Sequence, residues 1–148
     1  AFAYEYTGYL ANIHSVETYY QANIDMLDLH KFYSLFSPNQ KIHTKVKNEE
    51  PTYYAPGCEV NTSQFASGSI VEGKVVRSVV SRNVQIHKDS LVKESIVFPR
   101  VVIGEGAQVE YAIIDKGAEV ADGVVIRGTA ENPVVIKKGE KVTEDILS

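Results

Sequence analysis

The sequence predicts a mainly β fold in which short parallel strands stack coil upon coil, and three observations predict it. The first is an internal repeat of about 17 residues between Ile70 and Ile126. Val75, Val92, Val109 and Ile126 fall in one column, and Ser78, Ser95 and Ala112 fall three places later. Val79, Ile96 and Ile113 follow, then Val80, Val97 and Ile114. Two further columns hold Ile86, Ile103 and Val120, and Ser90, Ala107 and Val124. The second observation is the spacing inside a unit. Ile86, Val92, Phe98 and Ile103 stand six, six and five residues apart, steps that fit neither one amphipathic helix nor one alternating strand. The third is composition by position. Val and Ile dominate the large columns, as buried parallel strands require, and Gly104, Gly106, Gly117 and Gly123 fall at the expected corners.

This pattern resembles the hexapeptide-repeat, left-handed parallel β-helix, and the stretch Val60 to Ile126 carries the resemblance. It shows about four coils, with a gap of 15 between Val60 and Val75 and regular spacing afterwards. A β sandwich of Val-rich strands does not keep such a register from coil to coil.

Length and composition bound the rest. A chain of 148 residues makes one good domain or a small domain with an appendage. Charged residues are 23% and apolar residues 44%, ordinary for a globular protein. The net charge of −4 and the lack of a basic run disfavour nucleic acid as a partner. The single Cys58 excludes an internal disulfide and points to a reducing, cytoplasmic compartment. No apolar run approaches the ~20 residues that span a bilayer, so no membrane partner is expected. The chain opens at Ala1 and not at a methionine, which suggests a processed chain or a piece of a longer one.

Taken in order, residues 1–37 read as the end of a preceding domain with a connecting helix, 38–57 as a linker, and 58–148 as the β-helix. In Ala1–Leu10, Phe2, Tyr4, Tyr6 and Tyr9 interleave with small or polar residues, the pattern of a half-buried strand whose neighbours lie elsewhere. Ser15 is placed to cap a helix running to about Leu29, with Glu17 in its first turn. Val16, Tyr19, Tyr20, Ile24 and Leu27 form its apolar stripe. A second apolar set, Leu29, Phe32, Tyr33 and Phe36, continues to Ser37-Pro38, as one bent helix or two. The charged run Lys45–Glu50 reads as solvated surface. Tyr53, Tyr54, Pro56 and Gly57 are expected to lie across the open end of the first coil. After Ile126 the register breaks at Gly128–Pro133, Val134–Ile136 forms a short strand, and Glu144–Leu147 is a tail.

Two stretches together resemble the C-terminal half of ADP-glucose pyrophosphorylases. They are Ser15-Val16-Glu17-Thr18-Tyr19-Tyr20-Gln21-Ala22-Asn23 and the solenoid, with Ala66–Gly73 and Val134–Lys137 adding to the likeness. The resemblance implies a nucleotidyltransferase domain before the helix, a linker, and a left-handed β-helix. Catalytic members carry Asp-Val-Gly-Thr where this chain has Asn12-Ile13-His14-Ser15. The family's aspartate helps hold the catalytic divalent metal, and an amide oxygen is a weaker ligand for Mg²⁺. The resemblance therefore implies a regulatory, non-catalytic subunit of bacterial glycogen biosynthesis. It would hold no cofactor of its own, pair with a catalytic subunit that uses Mg²⁺, and assemble as a homo- or hetero-oligomer. It also implies that Lys137 contacts a phosphate-bearing sugar effector.

The residues offer little other chemistry. The alternative is a hexapeptide-repeat acyltransferase, with His87 as the histidine a general base would need. Beside Lys88 and Asp89, His87 reads instead as a corner histidine at the surface. His14 reads as local packing, and Cys58, alone, suggests neither zinc nor redox chemistry. Lys138 and Lys141 read as a solvated basic end.

Overall fold

A computed structural model describes all residues 1–148. It is a parallel β-solenoid of about six turns, a left-handed β-helix, with two helices laid on one side. The first coil is β1 (Tyr53–Tyr54), β2 (Glu59–Asn61) and β3 (Gln64–Phe65). The second is β4 (Ile70–Val71), β5 (Lys74–Val76) and β6 (Val79–Val80). The third is β7 (Gln85–Ile86), β8 (Leu91–Lys93) and β9 (Ile96–Val97). The fourth is β10 (Val102–Ile103), β11 (Gln108–Glu110) and β12 (Ala112–Ile114). The fifth is β13 (Glu119–Val120), β14 (Val125–Arg127) and β15 (Val134–Ile136), and β16 (Lys141–Val142) and β17 (Ile146–Leu147) begin the sixth. First strands pair only with first strands, second with second and third with third, giving sheets of six, six and five strands.

The predicted columns are the observed register. Val75, Val92, Val109 and Ile126 are successive partners, as are Ile86, Ile103 and Val120. The 15-residue second coil is present too, with Val60 on Val75. Nineteen buried side chains from Val71 to Val142 form one core, with Phe65, Val134 and Ile146 partly buried against it. The small column does more than save space. Ser78 donates its N–H to Ser63 Oγ, Ser95 to Ser78 Oγ and Ala112 to Ser95 Oγ, at 3.1–3.2 Å. Each hydroxyl of that ladder donates to a carbonyl of its own coil, to Asn61, Val76 and Lys93.

The corners differ from expectation. Gly106, Gly117 and Gly123 have positive φ, but Gly104 does not. Gly104 is required by contact, since a Cβ there would meet Asp122 N at 2.6 Å. Thr62, Arg77, Glu94 and Tyr111 hold positive φ without being glycine. The last three recover part of that cost by donating their N–H to the coil before, to Asn61, Val76 and Lys93.

Four further expectations are corrected. Tyr53 and Tyr54 do not lie across the open end; they pair with Ile70 and Val71 as the first rung. Glu144–Leu147 is not a loose tail, because Ile146 pairs with Ile126. The register does not end at Ile126: six residues bulge out at 128–133, and Val134–Ile136 then resumes on Ala112–Ile114. Ala1–Leu10 forms no strand, pairs with none of the three sheets and is exposed throughout most of its length. The open question about the helices resolves to two.

Helix α1 (Val16–Asp25) is capped by Ser15, with Thr18 closing a reciprocal capping box. Asp28 caps the second helix, α2 (Leu29–Leu35), and so ends the first. α1 lies on the outer face of the third sheet, burying Tyr20 and Ile24 against Ile96 and Ile113. The Tyr20 hydroxyl donates to Glu94 O at 2.6 Å, and Gln64 Nε2 donates to Met26 O at 2.7 Å. Ala130, in the bulged segment, packs at the edge of the same cluster.

Candidate functional site

Lys137 follows β15 directly, at the corner where the third sheet ends. Because Ile136 pairs with Ile114, Lys137 stacks over Asp115 and Lys138 over Lys116. The Gly139 N–H donates to Lys116 O, Gly117 to Pro99 O and Arg100 to Arg82 O, so the corner is continuous across the coils. With coils about 4.8 Å apart, Arg82, Arg100, Lys116, Lys137 and Lys138 line one edge of the prism. Arg82 pairs with Glu49 at 3.3 Å, and the other four cations form no ion pair. Two carboxylates on this edge are engaged by backbone: Asp115 Oδ1 takes the Lys116 N–H at 2.7 Å, and Glu140 Oε2 takes the Lys137 N–H at 2.9 Å. An edge with that balance favours anions, and several ammonium groups within reach of one phosphate hold it better than one.

Beside this edge runs a groove of about 520 Å³ between α1 and the third sheet. One wall is Ile13, His14, Ser15, Val16 and Tyr19, and the other is Phe98, Ile113, Asp115 and Val135. Tyr19 stacks on Phe98 with ring centroids 6.5 Å apart. Burial pushes the Tyr19 hydroxyl up, and the Asp115 charge adds to the shift. The groove sets the two positions singled out by the sequence on opposite sides. Asn12 immediately precedes its first wall, and Lys137 lies two residues beyond Val135 on its second.

Asn12 is exposed, and its carbonyl lies 3.3 Å from His14 Nδ1. No three His, Cys, Asp or Glu side chains are grouped to hold a metal ion. His87 Nδ1 stands 3.8 Å from Glu72 Oε1, too far for a hydrogen bond, and both side chains face solvent. Cys58 is a free thiol packed at the edge of the core. Lys116 and Arg100 are the members of the basic edge that sequence reasoning passed over. Lys116 becomes visible once an offset of 22 replaces 17 beyond Ile126, since Ile114 then falls under Ile136.

Fold and register together define a hexapeptide-repeat β-helix with a row of cationic side chains along one corner. The GlmU-like, C-terminal hexapeptide model matches residues 45–145, and the chain belongs to that family. It is 38% identical to the glycogen biosynthesis protein GlgD of Bacillus subtilis (strain 168), over 92% of this chain and 40% of that protein. It is 32% identical to a glucose-1-phosphate adenylyltransferase of Corynebacterium jeikeium, over 89% of this chain and 34% of the relative. A Bacillus mycoides protein of the same name is 31% identical over 93% of this chain and 37% of its own length. The chain thus spans no more than about two fifths of these relatives. No helix is long and apolar enough to cross a membrane.

Proposed function

We propose that this chain is the regulatory and assembly part of an ADP-glucose pyrophosphorylase in bacterial glycogen biosynthesis. That enzyme converts glucose 1-phosphate and ATP to ADP-glucose and pyrophosphate. The chain itself is not catalytic. It works in the cytoplasm within a homo- or hetero-oligomer that includes a catalytic, Mg²⁺-using subunit. The observation that carries this reading is the corner edge, where Lys137 stands with Lys116, Lys138 and Arg100, none of them ion-paired. The printed roles of the relatives support it, and Asn12 at the family's aspartate position supports the non-catalytic part.

The physical logic is a shared site. Surface ammonium groups alone hold a sugar phosphate weakly, because each is well hydrated. Donors from another body across the corner complete the site, and binding then biases the two bodies toward one arrangement. The test is a pyrophosphate-release assay with ATP, glucose 1-phosphate and Mg²⁺. The full-length subunit containing this chain is expected to give no turnover alone and to raise the turnover of the catalytic subunit when mixed with it. Mg²⁺-dependent pyrophosphate release by the subunit alone would refute the non-catalytic reading. Unchanged catalysis on mixing would refute the regulatory one.

A further inference from the structure

We infer that the groove between α1 and the third sheet binds a free α-amino acid with a large apolar side chain. This goes beyond the regulatory reading, shares only Lys137 with it, and stands or falls separately. Asp115 and Lys137 are successive members of one column, a single coil apart. Opposite charges so placed ordinarily pair, yet these form no ion pair. The Asp115 carboxylate is engaged by the backbone N–H of Lys116 alone.

The column faces the groove. Phe98, the member below Asp115, lines it and packs on Tyr19, and Asp115 lines it as well; Lys137 is the next member of that column, one coil on and two residues past the lining Val135. Three other groups bear on the charge balance: His14 on the α1 wall, Glu140 held by the Lys137 N–H, and Lys116 one residue past Asp115. Below the charged end the walls are apolar, with Ile13, Val16, Ile113 and Val135. A simple anion entering here meets Asp115, and a simple cation meets Lys137. A free amino acid satisfies both, because its ammonium and carboxylate flank one carbon: the ammonium goes to Asp115, the carboxylate to Lys137 and the side chain to the apolar walls. The volume of about 520 Å³ lies within the roughly 300–1,000 Å³ of small-molecule sites.

Calorimetric titration of the 148-residue chain with L-phenylalanine tests this. Glycine, N-acetyl-L-phenylalanine and L-phenylalanine amide serve as probes lacking the side chain, the ammonium or the carboxylate. Saturable binding of L-phenylalanine is expected, with each analogue weaker by about tenfold or more. Asp115→Asn keeps the acceptor for the Lys116 N–H and is expected to weaken L-phenylalanine by a similar factor. Val135→Glu, at an exposed position, is expected to abolish binding without moving the unfolding midpoint. No binding of L-phenylalanine at millimolar concentration, or equal binding of its N-acetyl form, overturns the proposal. Inorganic phosphate titrated in parallel reports on the basic edge alone.

Discussion

Tyr20 joins the helices to the solenoid through both ends of its side chain. Its ring is buried against Ile96 and Ile113, and its hydroxyl donates to the carbonyl of Glu94, a corner residue at φ 48°. Burial pushes the phenol far above the usual tyrosine range, and the Glu94 charge adds to the shift. A raised folded value means that this contribution to stability is complete below about pH 10 and is lost as pH rises further. Tyr20→Phe is expected to cost about 1 kcal/mol at pH 7, the worth of one such bond. It should also shrink the loss of stability between about pH 10 and 12, with Tyr9 and Tyr19, also raised, sustaining the remainder. Urea unfolding at neutral and alkaline pH measures both effects. Asp25 has the opposite sign. Partial burial raises its value, but bonds from Lys31, Gln21 and Tyr9 outweigh that and leave it lowered. Its contribution is present above about pH 4 and lost as pH falls further. Asp25→Asn should therefore flatten the acid limb of the stability curve. An acid limb as steep as that of the native chain would show that Asp25 is not the group responsible.

The elements were legible where one segment carries its own partner set. Ser15 and the stripe from Tyr19 to Ile24 define α1 because a helix satisfies its backbone internally and shows its period in one stretch. The solenoid columns were legible because each coil repeats the demand of the last, and Val92 between Val75 and Val109 states that demand three times over. Val92→Asp would place an unpaired carboxylate in the middle of that stack, at a cost of roughly 4 kcal/mol or more. Thermal unfolding should show the coils lost at a much lower temperature, and an unchanged midpoint would mean that Val92 does not point inward. The bulge at 128–133 hid the fifth coil from the same logic. It lengthens one corner, and every later residue then falls outside the 17-residue offset although the strands pair as before. The serine ladder was visible only as a column of small residues. Its hydrogen bonds run between coils, and a linear spacing does not show which atom meets which.

At the scale of the whole molecule, the part least legible was the first ten residues. Alternation in Phe2, Tyr4 and Tyr6 suits a strand, but a strand is a property of a pair, and this segment joins none of the three sheets. The basic edge was half legible for a related reason. Lys137 came from a resemblance, whereas Lys116 and Arg100 join it only when three coils are stacked. The molecule that results is a prism with a helical splint on one face and a row of cations on the adjoining corner, of which only Arg82 is ion-paired. We propose that this row senses a phosphate-bearing effector for a catalytic partner. The most direct test is the activation curve of the reconstituted full-length heteromer, native against Lys137→Ala. A half-activation concentration raised about tenfold or more is expected, with unstimulated activity near normal. An unchanged half-activation concentration would contradict it and leave Lys137 a solvated surface charge.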